Sequence, residues 1–244
     1  MNQQPLFPVT VTQLIPNSGG SADIRYFAVG DDGLEYAAKE SLIANPSLPA
    51  AEYLGYCFAA TCHVAVPACA LLNMPDGTEA FGSRFEGGIN THQTLMPNEQ
   101  IQALKDCSSQ LSALLAVDLF LANDDRHQGN FLLRKGGMTG QWGLIAIDFS
   151  RSMWFGGFPT QPVQLTATSG NTAVTIEVMK RIGLWDNARS ALAISTVASI
   201  TGRQYSSWVA ALPKAWVTGD VSFSVTWWNS SDRTLRVSDV LGCL

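Results

Sequence analysis

The chain has 244 residues, of which 46% are hydrophobic and 14% charged, with a formal net charge of −5, enough apolar material to build the core of one domain. An acidic balance without a basic run argues against nucleic acid or an anionic membrane surface as the main partner. No stretch of about 18 apolar residues is free of charge, because Asp118 interrupts the best candidate, and the polar start Met1-Asn2-Gln3-Gln4 is no signal peptide, so a soluble, cytoplasmic protein is expected.

The pattern of apolar residues and turns predicts three strands first, over residues 9–14, 24–29 and 34–39. Pro16-Asn17-Ser18-Gly19-Gly20-Ser21 separates the first two, and Asp31-Asp32-Gly33 turns the chain into the third, which ends at Lys39. Pro46 and Pro49 precede a helix over 50–63 whose one acid is Glu52, followed by a strand over 64–71 that contains Pro67. Residues 80–85 have strand character, and Glu86-Gly87-Gly88 follows as a connector. A long helix over about 98–122 carries Ile101, Leu104, Leu111, Leu114, Leu115, Leu119 and Phe120 largely on one face. Beyond it lie the polar loop 123–130, a hairpin of Phe131–Arg134 and Trp142–Ile147, and a segment 149–165 rich in Gly, Pro, Phe and Trp. Helices are expected over 173–182, 186–200, 204–212 and 230–241. Five cysteines, odd in number and without a CxxC pair, read as buried reduced thiols and offer no zinc site.

The loop Asn123-Asp124-Asp125-Arg126-His127-Gln128-Gly129-Asn130 and Asp148 in Ile147-Asp148-Phe149-Ser150 carry the chemistry. A carboxylate followed five positions later by an amide, with a second carboxylate returned by a hairpin, is what phosphoryl transfer needs: positioning and charge neutralisation. Asp125 is the candidate base that orients an acceptor hydroxyl. Asn130 and Asp148 supply one neutral and one charged oxygen, which suits Mg²⁺ on the phosphates of ATP. His127 has two readings, a proton acceptor or a buttress of the loop. The turn at Ser18, Gly19, Gly20 and Ser21 reads either as a phosphate-covering loop or as an ordinary hairpin turn.

The order Asp-Arg-His differs from the His-Arg-Asp loop of ordinary protein kinases. Asp-Arg-His-x-x-Asn followed by Ile-Asp-Phe resembles the phosphatidylinositol 3- and 4-kinases, and more closely, given the chain length, the HipA-like Ser/Thr kinases of bacteria, whose loops read Asn-x-Asp-x-His-x-x-Asn. The resemblance spans about residues 9–240 and is specific at 123–130 and 147–149. It implies an α+β fold, a two-lobed protein-kinase-like domain with an N-terminal antiparallel β-layer and one helix (1–90) and a mostly helical C-terminal lobe (91–244). It also implies that Lys39 binds the ATP phosphates. Glu52 either pairs with Lys39 or sits in the first helical turn for the helix dipole alone. Adenine is expected against the backbone of 82–86, which includes Phe85 and Glu86.

By the same resemblance the substrate is a protein Ser/Thr hydroxyl, an antitoxin or regulator protein is a conceivable partner, and Ser150, Ser152 or a serine of 18–21 is a candidate for self-phosphorylation. Ser150 departs from the Asp-Phe-Gly pattern, as several atypical kinases do. A small-molecule or lipid kinase and a nucleotide-binding pseudokinase are the alternatives on the same scaffold.

Overall fold

A computed structural model describes residues 6–19, 23–159, 163, 165 and 170–244. The N-terminal part is a five-stranded barrel built from β1 (Phe7–Pro16), β2 (Tyr26–Gly30), β3 (Glu35–Lys39), β4 (Cys69–Asn73) and β5 (Glu79–Arg84), with α1 (Leu48–Thr61) inserted between β3 and β4. The strand order is β1-β2-β3-β5-β4, and β1 closes the ring by pairing in parallel with β4, Phe7–Thr10 against Ala70–Asn73. The expected antiparallel layer is therefore antiparallel except at this closing pair. The ten-residue β1 serves two neighbours, and the register shift between Val11 and Gln13 bends it from β4 toward β2. Closure removes the exposed edges that an open sheet leaves. Val9, Val11, Ala28, Tyr36, Ala38, Ala70 and Leu72 belong to the cluster of buried apolar side chains in this barrel.

The strand expected over 64–71 starts only at Cys69. Pro67 has no N–H to give to a ladder, and residue 65 instead bridges to the hairpin, Ala146 N donating to Ala65 O at 2.7 Å. That hairpin is β7 (Phe131–Lys135) and β8 (Trp142–Ala146), with the two-residue β6 (Ile89–Asn90) alongside β7.

The expected helix 98–122 is two helices, α2 (Pro97–Asp106) and α3 (Ser108–Leu121), interrupted at Cys107. Side chains flanking the break are used elsewhere: Asp106 accepts from Trp142 N at 3.0 Å and Gln110 from Leu144 N at 3.3 Å, both fastening β8. Ile101, placed on the apolar face by periodicity, is exposed, whereas α3 is buried from Leu111 to Leu121. α3 is thus the axis of the second and larger core, packed by α1, α5 (Asn171–Arg181), α6 (Asn187–Ser199) and α9 (Ser231–Cys243).

A short α4 (Met153–Gly156), α7 (Gly202–Ala210) and α8 (Gly219–Trp228) complete the helices of the described residues. Phe58 of α1 contacts Phe120, Trp154, Tyr205, Trp208 and Trp228, and Tyr205 stacks on Trp228 at 4.5 Å, so one aromatic cluster ties the barrel's helix to the helical part. Cys57, Cys62 and Cys107 are buried in this core, while Cys69 and Cys243 are partly covered. No helix among the described residues is long and apolar enough to cross a membrane.

Candidate active site

Lys39 ends β3 and points inward, 4% exposed. Its Nζ donates to Glu52 Oε1 at 2.6 Å and to Asp148 Oδ1 at 3.1 Å. Burial alone would favour a neutral amine, but the Asp148 and Glu52 carboxylates outweigh it and hold Lys39 charged, above its ordinary pKa. Glu52 is fully buried in α1; its Oε1 also accepts from Phe149 N at 3.0 Å, whereas Oε2 has no partner. Burial, opposed by Lys39 and reinforced by Asp148, pushes its carboxyl up to about 7.

Asp148 adopts a left-handed backbone, φ 63°. That conformation is costly for a side chain other than Gly, by about 1 kcal/mol or more, and short polar residues such as Asp tolerate it best. It stands two residues past the end of β8, and Asp148 Oδ1 accepts Lys39 Nζ and, at 2.8 Å, the Ser150 hydroxyl. Burial would raise the Asp148 carboxyl; the Lys39 charge, the hydrogen bonds from Ser150 and Lys39, and the Arg126 charge overcome it and hold the group well below the usual carboxylate range. Phe149 packs behind, its ring under the Arg126 guanidinium at 4.7 Å and edge-on to Tyr56. A Cβ added at Gly55 would lie 2.3 Å from that ring, so only glycine lets α1 approach this closely.

The loop 123–130 leaves α3 through Ala122, also left-handed at φ 54°. Two fully buried charges hold it. Arg126 forks onto Asp118 of α3, Nε to Oδ2 at 2.7 Å and Nη2 to Oδ1 at 3.0 Å, and its Nη1 donates to the carbonyls of Asn130 and Ile147. Asn123 Nδ2 adds a third hydrogen bond to Asp118 at 2.8 Å. One guanidinium therefore joins α3, the loop and the strand leading to Asp148. A buried ion pair holds together only when its hydrogen bonds are this complete.

Asn130 Nδ2 donates to Asp125 O at 2.8 Å, which leaves Oδ1 as the atom able to meet a ligand. Neither that oxygen nor Asp148 Oδ2 takes a hydrogen bond from a described residue. No group of three or more His, Cys, Asp or Glu among the described residues is arranged to hold a metal. Two free oxygens, one amide and one carboxylate, suit a hard divalent cation that draws its other ligands from phosphate and water. Asp125 is half-buried; its Oδ1 accepts from Asn171 Nδ2 at 2.6 Å. His127 is exposed and its Nδ1 accepts from Gly129 N at 3.0 Å, so a neutral ring carries its proton on Nε2 and presents a donor outward.

These side chains share one cleft of about 520 Å³, a size that suits a small ligand. Lys39, Asp125, His127, Asn130 and Asp148 line it together with Gly19, Phe85 and Glu86, and Phe27, Ala37, Leu132 and Ile147 add apolar wall. Gly20 and Ser21 lie outside the described residues, and Ser18 is exposed beside them. Phe85 N donates to Glu35 O at 2.8 Å, and the Glu86 carboxylate accepts from Arg84 at 3.2 Å and Arg134 at 2.6 Å. Ser150 and Ser152 are buried, their hydroxyls donating to Asp148 Oδ1 and to Phe149 O at 2.7 Å. Both expected acceptors after Asp148 are thus inward-facing and engaged, as the tight turn at 148–152 requires.

Asp118, Arg151 and Asn171 do not stand out as site residues in the sequence. Asp118 had a signal: one acid in an otherwise apolar helix must find a partner, and Arg126 stands eight residues on. Asn171 had none, being 46 residues from Asp125.

No protein-family model matches the chain, and no curated protein matches it in sequence. Among solved structures, that of the Helicobacter pylori proinflammatory kinase CtkA is similar, with a TM-score of 0.52 at 12% identity, over 98% of this chain and 100% of that one. At that identity the likeness concerns the fold: a β-rich N-terminal part and a helical remainder in a kinase-like α+β arrangement.

Proposed function

We propose that the chain is an ATP-dependent phosphotransferase with the two-lobed architecture of a kinase, and that it is an atypical Ser/Thr protein kinase of HipA-like type. The observation that carries this reading is the meeting of Lys39, Asp125, Asn130 and Asp148, drawn from separate parts of the chain, around one cleft, with Glu52 paired to Lys39 behind it. The fold likeness to a kinase supports it independently.

In this reading the nucleotide enters between the apolar walls at Ala37 and Leu132, and Lys39, held by Glu52, meets its phosphates. Asn130 Oδ1 and Asp148 Oδ2 hold Mg²⁺, which when bound neutralises charge on the transferring phosphoryl group. Asp125 Oδ2 accepts the proton of the acceptor hydroxyl as the new O–P bond forms and the bond from the γ-phosphorus to the bridging oxygen of ADP breaks. His127 Nε2 is a donor for phosphate oxygens. Arg151 lines the same cleft without a carboxylate partner among the described residues, its guanidinium over Phe155 at 4.9 Å, and is a second such donor.

The test is incubation with γ-labelled Mg-ATP and a cell lysate, followed by separation of protein from small molecules. Label on protein serine or threonine is the expected result. Label only on small molecules would overturn the protein-kinase assignment, and bound nucleotide with no transfer would overturn the enzyme assignment.

A further inference from the structure

We propose that Asn171 is a positioning residue for the Asp125 carboxylate, and that the first turn of α5 is the element that aims this base; the inference rests on the phosphotransferase reading above. Asn171 Nδ2 donates to Asp125 Oδ1 at 2.6 Å, the one hydrogen bond from a described residue to that carboxylate. Asn171 is exposed, so its amide is not satisfying a burial requirement.

The turn that presents Asn171 is fixed to the loop at several points. Thr172 N donates to Asp124 O at 3.1 Å. The Thr172 hydroxyl accepts from Arg126 N at 3.0 Å and donates to Asn123 O at 2.6 Å, and the Thr175 hydroxyl donates to Arg126 O at 3.1 Å. Gly170, at φ 90°, allows the approach: a Cβ there would lie 2.5 Å from Asp124 O. Each of residues 123, 124 and 126 is therefore tied to α5 through its backbone, and 125 through its side chain.

An amide in this position has a specific chemical consequence. It fixes one carboxylate oxygen, which stops rotation of the side chain, yet adds no positive charge, so the other oxygen stays available to a hydroxyl proton. A misplacement of about 1 Å in a reacting group costs on the order of a hundredfold in rate.

Asn171→Asp separates this role from a structural one. It keeps size and shape, and a carboxylate in the first helical turn is favoured by the helix dipole, but it replaces the donor by a charge that repels Asp125. Asn171→Ala removes the contact without repulsion. We would measure kcat and KM for Mg-ATP, reading phosphate release to water and labelled transfer, together with the melting temperature. The expected result is a kcat lowered about tenfold or more, further for Asp than for Ala, with KM for ATP within about twofold of the parent and no loss of thermal stability in Asn171→Asp. A parental kcat in Asn171→Asp, or a loss carried by KM or by the melting temperature, would overturn the role while leaving the kinase reading intact. A parent that neither releases nor transfers phosphate would overturn that reading and this role with it.

Discussion

At the scale of single residues, the site rests on a set of charges largely buried behind the cleft. Lys39, Glu52, Asp148, Arg126 and Asp118 are buried or largely so and lie in a continuous network of contacts. The more exposed charge cluster, Glu86 between Arg84 and Arg134, behaves differently. Burial would raise the Glu86 carboxyl, but hydrogen bonds from Arg134 and Arg84 outweigh it and lower its pKa. A carboxyl lowered on folding adds stability above its unfolded pKa, near 4.5, and loses it as pH falls through the folded value. Both arginine side chains are at least 40% exposed, so solvent screening keeps the effect to about 1 kcal/mol or less. Glu86→Gln is expected to lower the unfolding free energy at pH 7 by that small amount and to converge with the parent as pH falls through the folded value of the Glu86 carboxyl; a difference that grows in acid would refute the assignment. The core of the site was readable because Asp125, Asn130 and Asp148 stand at spacings that a loop and a hairpin convert directly into proximity. Asn171 was not readable, since only the tertiary docking of α5 brings it to Asp125.

At the scale of elements, one contact helps hold the loop 123–130 and another the turn after Asp148. Arg126→Met leaves Asp118 without its cation in the core, and the expected loss is about 3–5 kcal/mol; Asp118→Leu combined with Arg126→Met is expected to recover most of it, which urea unfolding of the parent and both variants would measure. Equal stability of the single and double variants would show that the pair is not a unit. Gly55→Ala places a Cβ 2.3–2.7 Å from the Phe149 side chain. It is expected to cost roughly 1–3 kcal/mol of stability and to weaken nucleotide binding, because α1 also carries Glu52; an unchanged denaturation midpoint would contradict that packing. The elements themselves were unevenly legible. Hairpin β7–β8 follows from its turn and apolar runs, but α8, Gly219–Trp228, is rich in Val, Thr, Phe and Trp, which favour strands. Its N-cap, the Thr218 hydroxyl accepting from Val221 N, and the burial of Val221, Ser224, Trp227 and Trp228 override that preference. The break at Cys107 was hidden for a related reason: the Asp106 and Gln110 side chains beside it bind an adjacent strand, a demand no local window contains.

At the scale of the whole molecule, the barrel and the helical part meet at the cleft, and each supplies residues that line it. Lys39 and Gly19 come from the barrel, Asp125, Asn130 and Asp148 from beyond it. Binding is therefore expected to stabilise both parts together, by about 2.7 kcal/mol at a nucleotide concentration 100 times Kd, seen as one upward-shifted melting transition with Mg-ATP. Lys39→Ala is expected to abolish the shift, and a shift retained in that variant would move the nucleotide elsewhere. Barrel closure by the parallel β1–β4 pair was not legible, because strand alternation reports which face is buried and not which neighbour is paired.

In the proposed function, Asp125 and Asp148 perform phosphoryl transfer in this cleft. The most direct measurement is single-turnover transfer of the γ-phosphate from Mg-ATP by the parent, Asp125→Ala and Asp148→Asn, with ATP affinity determined for each. The account predicts transfer by the parent and losses of at least about a hundredfold in both variants, with affinity largely kept in Asp125→Ala. Transfer at the parental rate in either variant would contradict it.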